Sequence, residues 1–333
     1  MINLEIPNKL KPLIEQAHVV GSAVFRPISR KYDRAEHSYP KELDMLAAVM
    51  DGFSEAGAGG GVSNVKQGSR DKSDKTVKNG ANMSTVLGMV ELCWGDIGLA
   101  LSIPRQGLGN AAVAAVATPE QKARWGQVWA AMAITEPGAG SDSAAIRTTA
   151  RLEGNEWVIN GEKIYVTAGE RATAVVVWAT LDRNMGRAAI KSFFVPKGSP
   201  GMQLVRLDKK LGIRASDTAV LSFNDCRIPK DNILGSPEID TKKGFGGVMQ
   251  TFDNTRPIVA AMALGVARAS LEVTETFLKE AGVDTRMRGS RWTQHAATAE
   301  LHRMKAELEA ARLLTLKAAW MADNGIPNSV EAS

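Results

Sequence analysis

The stretch AITEPGAGSDSAAIRTTARLEG, Ala133 to Gly154, decides how this chain is read. An apolar approach gives way to Thr, an acid, Pro and then Gly-Ala-Gly-Ser-Asp, which is the chemistry of a loop between two elements. Pro137 fixes its own φ and removes a donor. Gly138 and Gly140 permit either a positive φ or a close approach of the backbone to another body. Thr135, Ser141 and Ser143 add hydroxyls, and a loop of this kind can cradle a phosphate or a polar ring with its N–H groups. Taken alone, the same residues make an ordinary Pro/Gly turn, and the sequence on either side has to choose between the two.

Downstream of the loop the texture is that of strands. WVINGEKIYVTAG (157–169) reads as two short strands around Asn160-Gly161, a type I′ hairpin signal. AVVVWATL (174–181), KSFFVP (191–196), MQLVRL (202–207) and TAVLSFNDCRIP (218–229) supply further β-rich runs separated by Gly, Pro and Asp. Their partial alternation predicts an antiparallel β domain with cover on both faces. Upstream the chain is helical. Leu43, Leu46, Ala47 and Met50 share helical spacing, ANMSTVLGMVELCWGDIGLALSI (81–103) and Ala111–Ala117 continue in that manner, and Thr118 caps a helix with Pro119 at its first position and Glu120 and Gln121 in its first turn. The Gly-rich and charged residues 56–80 read as a loop; no β-branched strand precedes them, so they make no dinucleotide fingerprint.

After residue 240 two long helices are predicted. Leu264, Leu271, Thr274 and Leu278 form one stripe, with Pro257 placed ahead of it at a kink or first turn. Leu301, Met304, Leu308, Ala311, Thr315 and Ala318 form another, which stops at Asn324-Gly325 with Pro327 beyond. PNSVEAS (327–333) then reads as the start of a third helix, with Ser329 as cap and Glu331 in its first turn. The expected class is therefore α+β: an all-α domain over 1–127, an antiparallel β domain over 128–240 and an incomplete helical bundle over 241–333. Two amphipathic helices and an aborted third do not close a bundle, so the chain is expected to be truncated or to rely on partner chains.

Composition narrows the class. The 333 residues are 44% hydrophobic, enough for a large core, and the net charge of +5 with 5% aromatics offers no base-stacking platform for nucleic acid. Cys93 and Cys226 alone make neither a disulfide framework nor a Cys-rich zinc site, and a reduced, cytoplasmic setting is expected. No signal-peptide core and no uninterrupted apolar run of spanning length is found. His18, His37, His295 and His302 have no metal-ligand spacing, no G-x-S-x-G elbow is present, and Cys226 reads as a buried structural thiol.

Five segments together resemble the acyl-CoA dehydrogenases, which are FAD-dependent flavoproteins: residues 93–125, MAITEPGAGSDSAAIRTTA (132–150), WVINGEKIYVTAG (157–169), KKLGIRASDTAVLSFNDCRIPKDNILG (209–235) and FDNTRPIVAAMALGVARASLE (252–272). The ordered pair TEPGAGSD and NGEKIYVT is the specific part. The resemblance implies that a carboxylate takes the α-proton of an acyl-CoA thioester while the β-carbon gives a hydride to flavin N5, forming a 2-enoyl-CoA in the oxidation of fatty acyl groups. It implies reoxidation by an electron-transfer flavoprotein and a tetrameric assembly. Met132, Ala133, Ile134, Thr135, Gly138, Gly140 and Ser141 would wrap the flavin, with Thr135 bonding the ring. Tyr165, Val166 and Thr167 would meet it from the next strand, with the Thr167 hydroxyl near N5; the family often has Trp where Tyr165 stands. Ser141, Asp253, Asn254, Thr255 and Arg256 would contact the acyl-CoA, while Asp142, Arg214 and Asp217 would hold loops.

The chain departs from the family in places that bear on chemistry. The usual C-terminal Glu base has no counterpart, and Thr255 stands where some members carry the base. The arginine–Phe-Gly run that reaches a neighbour's FAD is replaced by EAGVDTRMRGSRWTQH, where Arg286, Arg288 or Arg291 would have to meet a pyrophosphate or form a solvated basic loop. The alternatives left open are a non-catalytic subunit of a heteromeric dehydrogenase and an acyl-CoA oxidase-like enzyme.

Overall fold

A computed structural model describes residues 6–55, 80–104, 108–239 and 246–333. The loop expected at 56–80 lies, apart from Gly80, outside the described residues. Helices α1 (Lys11–Val19), α2 (Arg26–Arg34), α3 (Glu42–Glu55), α4 (Ala81–Gly95), α5 (Ile97–Ala100), α6 (Leu108–Val116) and α7 (Pro119–Trp125) precede all strands. The strands are β1 (Ala130–Ala133), β2 (Thr149–Glu153), β3 (Glu156–Thr167), β4 (Ala174–Thr180), β5 (Ile190–Pro196), β6 (Met202–Leu207) and β7 (Thr218–Pro229), and α8 (Gly246–Glu280) and α9 (Ala296–Asp323) follow. The class is α+β, helical then β then helical. By contacts the chain forms two compact units, one of residues 31–63 and 101–255 and one of 1–30, 64–100 and 256–333.

In the first of these units the sheet runs β1-β4-β2-β3-β7-β6, with β5 on β4. It is mixed rather than purely antiparallel: β1 lies parallel to β4, pairing Ala130–Ala133 with Ala174–Val177, and β2 touches β4 in parallel at Thr149 and Thr180. The connection from β1 to β4 passes through the β2–β3 hairpin, long enough to bring the chain back in the same direction, which a two-residue turn cannot do. All seven residues of β4 are buried. Val175, Val177 and Ala179 enter one apolar cluster with Trp157, Phe193 and Val195, while Ala174, Val176 and Trp178 enter another with Trp125, Ile190 and Phe194. The alternation of β4 thus serves two cores, one per face, which is why its sequence reads as a continuous apolar run. Thr118 caps α7 through a full capping box, its hydroxyl accepting from Gln121 N and its own N–H donating to Gln121 Oε1.

The hairpin expected at Asn160-Gly161 does not form. The turn falls at Gly154-Asn155, where Gly154 has φ +60°, and β3 continues through Asn160-Gly161 as one strand with a bulge opposite β7. Asn160 is engaged across the sheet instead: its amide donates to Asp225 Oδ1 at 3.0 Å and its Oδ1 accepts from Asp225 N at 2.8 Å. Gly161 is needed because a Cβ there would run into Thr148. Turn propensity is a local bias, and these two long-range demands override it.

The other unit is helical. Asp323, the last residue of α9, accepts from the N–H groups of Asn82 and Met83 at 2.9 and 3.0 Å, so a carboxylate distant in sequence caps the start of α4. Glu91 of α4 receives both terminal nitrogens of Arg268 at 2.6 Å and faces His18 Nδ1 at 2.8 Å. Burial works against the Glu91 carboxylate, but Arg268 and then His18 outweigh it and hold the carboxyl below its ordinary range. A depressed carboxyl stabilises the fold above its unfolded value and loses that contribution as pH falls through the folded one. Glu91→Gln is therefore expected to lower stability near neutral pH by about 1–2 kcal/mol, since the Arg268 side chain stays 30% exposed. Urea titrations of both proteins from neutral pH down through the carboxyl range check this; a gap that does not narrow in acid contradicts it.

Pro257 sits inside α8, not at its first turn. By length and composition the stretch Thr255–Glu280 meets the measure for a membrane span, with mean hydropathy 1.3, which a search for uninterrupted apolar runs misses because Arg268 and Glu272 break them. In this unit, however, Arg268 is bound to the buried Glu91. Residues 329–332 form a single turn closed by Ala332 N donating to Asn328 O at 2.8 Å, the i→i−4 bond of one helical turn.

Candidate functional site

The quoted loop joins β1 to β2, and its near end is fastened to β3. Ile164 N donates to Thr135 O at 2.9 Å. Lys163 Nζ donates to Ile134 O at 2.9 Å and to Glu136 Oε1 at 2.7 Å. Glu136 also accepts from Thr148 N and Thr148 Oγ1 at 2.9 and 2.6 Å and from Arg147 N at 2.6 Å. Lys163 is fully buried and Glu136 nearly so. Burial pulls the Lys163 ammonium down to about 8, against the opposing pull of Glu136. Burial likewise works against the Glu136 carboxylate, yet Lys163, Thr148 and Arg147 together hold it below its ordinary range. A carboxyl held low beside an ammonium still near 8 makes an ionised pair at neutral pH.

The structure therefore brings the two specific motifs together. Just past Lys163 the β3–β7 ladder slips, between Lys163 and Val166, and Tyr165 at the slip has φ +57° and is 65% exposed. A bulky non-glycine residue held in the left-handed region costs backbone strain. Val166 and Ala133 are fully buried in the protein's own core, so neither presents surface to a ligand here. Met132, Thr135 and Thr167 are half-buried, and Gly138, Gly140 and Ser141 are exposed.

The two loop glycines are informative by elimination. Neither has a positive φ, and a Cβ built on either meets nothing within 4 Å. The chain's own packing therefore requires glycine at neither position, and both leave the loop backbone open. Beside them a cleft of about 500 Å³ is lined by Glu136, Pro137, Gly138, Arg147, Asn160 and Arg183, among others. Thr135, Ser141 and Thr167 carry hydroxyls and Tyr165 an exposed ring, but none of the four lines this cleft.

The remaining sequence-derived residues fall elsewhere. Asp253, Asn254, Thr255 and Arg256 occupy consecutive positions in α8, with Thr255 buried. Arg286 and Arg288 are both paired with Asp284. Arg214 pairs with Glu36, and Asp217 accepts from Glu170 N and lies 3.4 Å from Arg171 Nε, so both hold loops. Burial pushes the Cys226 thiol up to about 11, consistent with a structural role. No His/Cys/Asp/Glu group able to hold a metal occurs among the described residues. Sequence reasoning missed Glu136, Lys163 and Arg147. The first two stand inside the quoted motifs, but nothing local marks a Lys as buried; only its pairing with an acid in the other motif does.

Two family models adjoin along the chain: the acyl-CoA dehydrogenase middle domain matches residues 131–226 and the C-terminal domain of the same family matches 242–333. The chain is 42% identical over 223 residues to the mitochondrial short-chain specific acyl-CoA dehydrogenase of Bos taurus, covering 65% of this chain and 52% of that one. It is 36% identical over 226 residues to a short-chain specific acyl-CoA dehydrogenase of Clostridium acetobutylicum, covering 65% and 57%. The chain thus spans about half the length of the curated relatives it matches. In structure it resembles butyryl-CoA dehydrogenase from Megasphaera elsdenii, with TM-score 0.81 at 28% identity over 99% of this chain and 83% of the other. With the fold, the joined motifs and both domain matches in agreement, the chain belongs to the acyl-CoA dehydrogenase family.

Proposed function

We propose that the protein is an FAD-dependent oxidoreductase that forms a 2-enoyl-CoA from a short-chain acyl-CoA, with an electron-transfer flavoprotein as acceptor and a tetramer as its assembly. One observation carries the reading: the loop and the β3 bulge are fastened side by side, and the glycines of the loop are free of any internal requirement. The relatives named as short-chain specific support the substrate class. When bound, FAD supplies a hydride acceptor and a route for electrons to leave. The chain's own part is to seat it: Met132–Ser141 would line it on one side, with Thr135 bonding the ring, and Tyr165–Thr167 on the other. Asp253, Asn254, Thr255, Arg256 and Ser141 would hold the acyl-CoA. The three-part division at 127 and 240 belongs to the same proposal.

Removing the α-proton needs a base near the operating pH. Thr255 has a hydroxyl that does not titrate there, so the step is not assigned to it. A second reading is a subunit whose partner completes the chemistry. The visible spectrum of the purified chain, before and after addition of butyryl-CoA without oxygen, separates the cases. Bound oxidised flavin that bleaches is the expected result. Bound flavin that does not bleach supports the partner-subunit reading, and a colourless protein that takes up no added FAD sinks the proposal. Hydrogen peroxide on readmission of air would mark an oxidase.

A further inference from the structure

The loop and the bulge that would receive the flavin are separate in sequence, and a single buried ion pair spaces them. Three successive loop residues, Ile134, Thr135 and Glu136, are held by two successive residues of β3, Lys163 and Ile164. Lys163 is the last β3 residue in register with β7 before the ladder slips, since it pairs with Leu221 and Val166 pairs with Ala219. On the other side, Glu136 O and N close a tight turn with Ala139 N and O at 3.1 and 3.0 Å, leaving Pro137 and Gly138 at its tip. An apolar side chain at 163 would fill the same space without desolvating a charge, so burying an ammonium there is a poor device for stability alone. Its geometric consequence is specific. The ammonium reaches a carbonyl and a carboxylate on one loop at once, which sets both the distance and the register between loop and strand.

We propose that Lys163 and Glu136 are positioning residues for the cofactor: their pair fixes the glycine loop against the Tyr165 bulge so that one flat ligand is met by both. The proposal rests on the flavin reading above. The pair acts through the backbone of Ile134–Ala139 and Ile164–Thr167.

The test uses the full chain and the variants Lys163→Met and Lys163→Met/Glu136→Gln, with three readouts: amide hydrogen exchange without cofactor, thermal midpoint, and FAD affinity with the shape of the visible flavin band. In Lys163→Met the β4 amides are expected to stay as protected as in the parent, while those of Ala139 and Ile164 exchange faster. FAD affinity should fall about tenfold to a hundredfold, with a changed band shape, because small displacements of positioned groups have effects of that size. A lowered thermal midpoint with unchanged FAD affinity in the folded protein would overturn the proposal, as would unaltered exchange at Ala139 and Ile164. If Lys163→Met does not fold, the double variant, which leaves no lone buried charge, carries the same readouts; loss of β4 protection in both shows that the pair serves the fold and not the site. If the parent takes up no FAD, the flavin reading fails by itself, and the exchange data still decide whether the pair holds the loop.

Discussion

Gly138→Val is expected to leave the fold standing and to empty the cofactor site. A Cβ at Gly138 meets nothing within 4 Å, and the residue's φ is not in the left-handed region, so neither crowding nor strain opposes a side chain there. Exposed substitutions of that kind change stability by about 0.5 kcal/mol or less. A ligand seated on the loop backbone, however, meets the new methyl groups directly. Overpacking of a tight contact costs about 1–3 kcal/mol, which is about a tenfold to hundredfold loss of affinity. The measurement is FAD titration beside thermal denaturation for Gly138→Ala and Gly138→Val, with Gly140→Val as a second position. Affinity should fall with side-chain size while the midpoint stays put. Undiminished FAD binding by Gly138→Val would remove the loop from the site. Gly161→Ala is the useful contrast, because its Cβ collides with Thr148, a ligand of Glu136, so stability should suffer there whether or not FAD is present.

Phe193→Ala should give the largest loss of stability. Phe193 is fully buried on β5, pairs with Val177 in register, and stands edge-on to Trp157 with ring centroids 5.3 Å apart. It belongs to the apolar cluster on one face of β4, where strands β3, β4, β5 and β7 all contribute. Truncation removes the ring's transfer free energy and leaves a cavity among side chains fixed by two ladders, which relax little. The expected cost is about 3–5 kcal/mol. Urea denaturation followed by tryptophan fluorescence reads it, and Phe193→Leu should recover most of the loss. A cost below about 1 kcal/mol would show that the sheet collapses around the site more readily than its packing implies.

Much of the architecture was legible from residues a few positions apart. Thr118 announces a helix cap and forms one, with Gln121 of the first turn completing a capping box. The stripe ending at Asn324-Gly325 becomes α9 with Asn324 as its C-cap and Gly325 at φ +69°. The strand runs at 174–181, 191–196, 202–207 and 218–229 all become strands. These signals work because capping bonds, side-chain spacing and turn geometry are satisfied within one or two turns of chain. The motif pair was legible too, though only as a pair, because each half alone is a common loop or strand.

What the sequence determined by itself is the order of helical and β segments, the bounds of β4 to β7 to within a residue, the start of α7, the end of α9, and the identity of the two motifs that mark the family. What only the tertiary structure decided is which distant groups satisfy one another. Asn160-Gly161 carries strong turn chemistry, yet Asn160 bonds Asp225 and Gly161 admits Thr148, so the strand runs through and the turn moves to Gly154-Asn155. The β1–β4 pairing is parallel, which no alternation of apolar residues distinguishes from antiparallel. The burial of Lys163 beside Glu136 is set by the fold alone. Local propensities are small and act at short range; burying a charge or closing a sheet involves larger free energies, and those are settled only by the partners that the folded chain brings within a hydrogen bond's length.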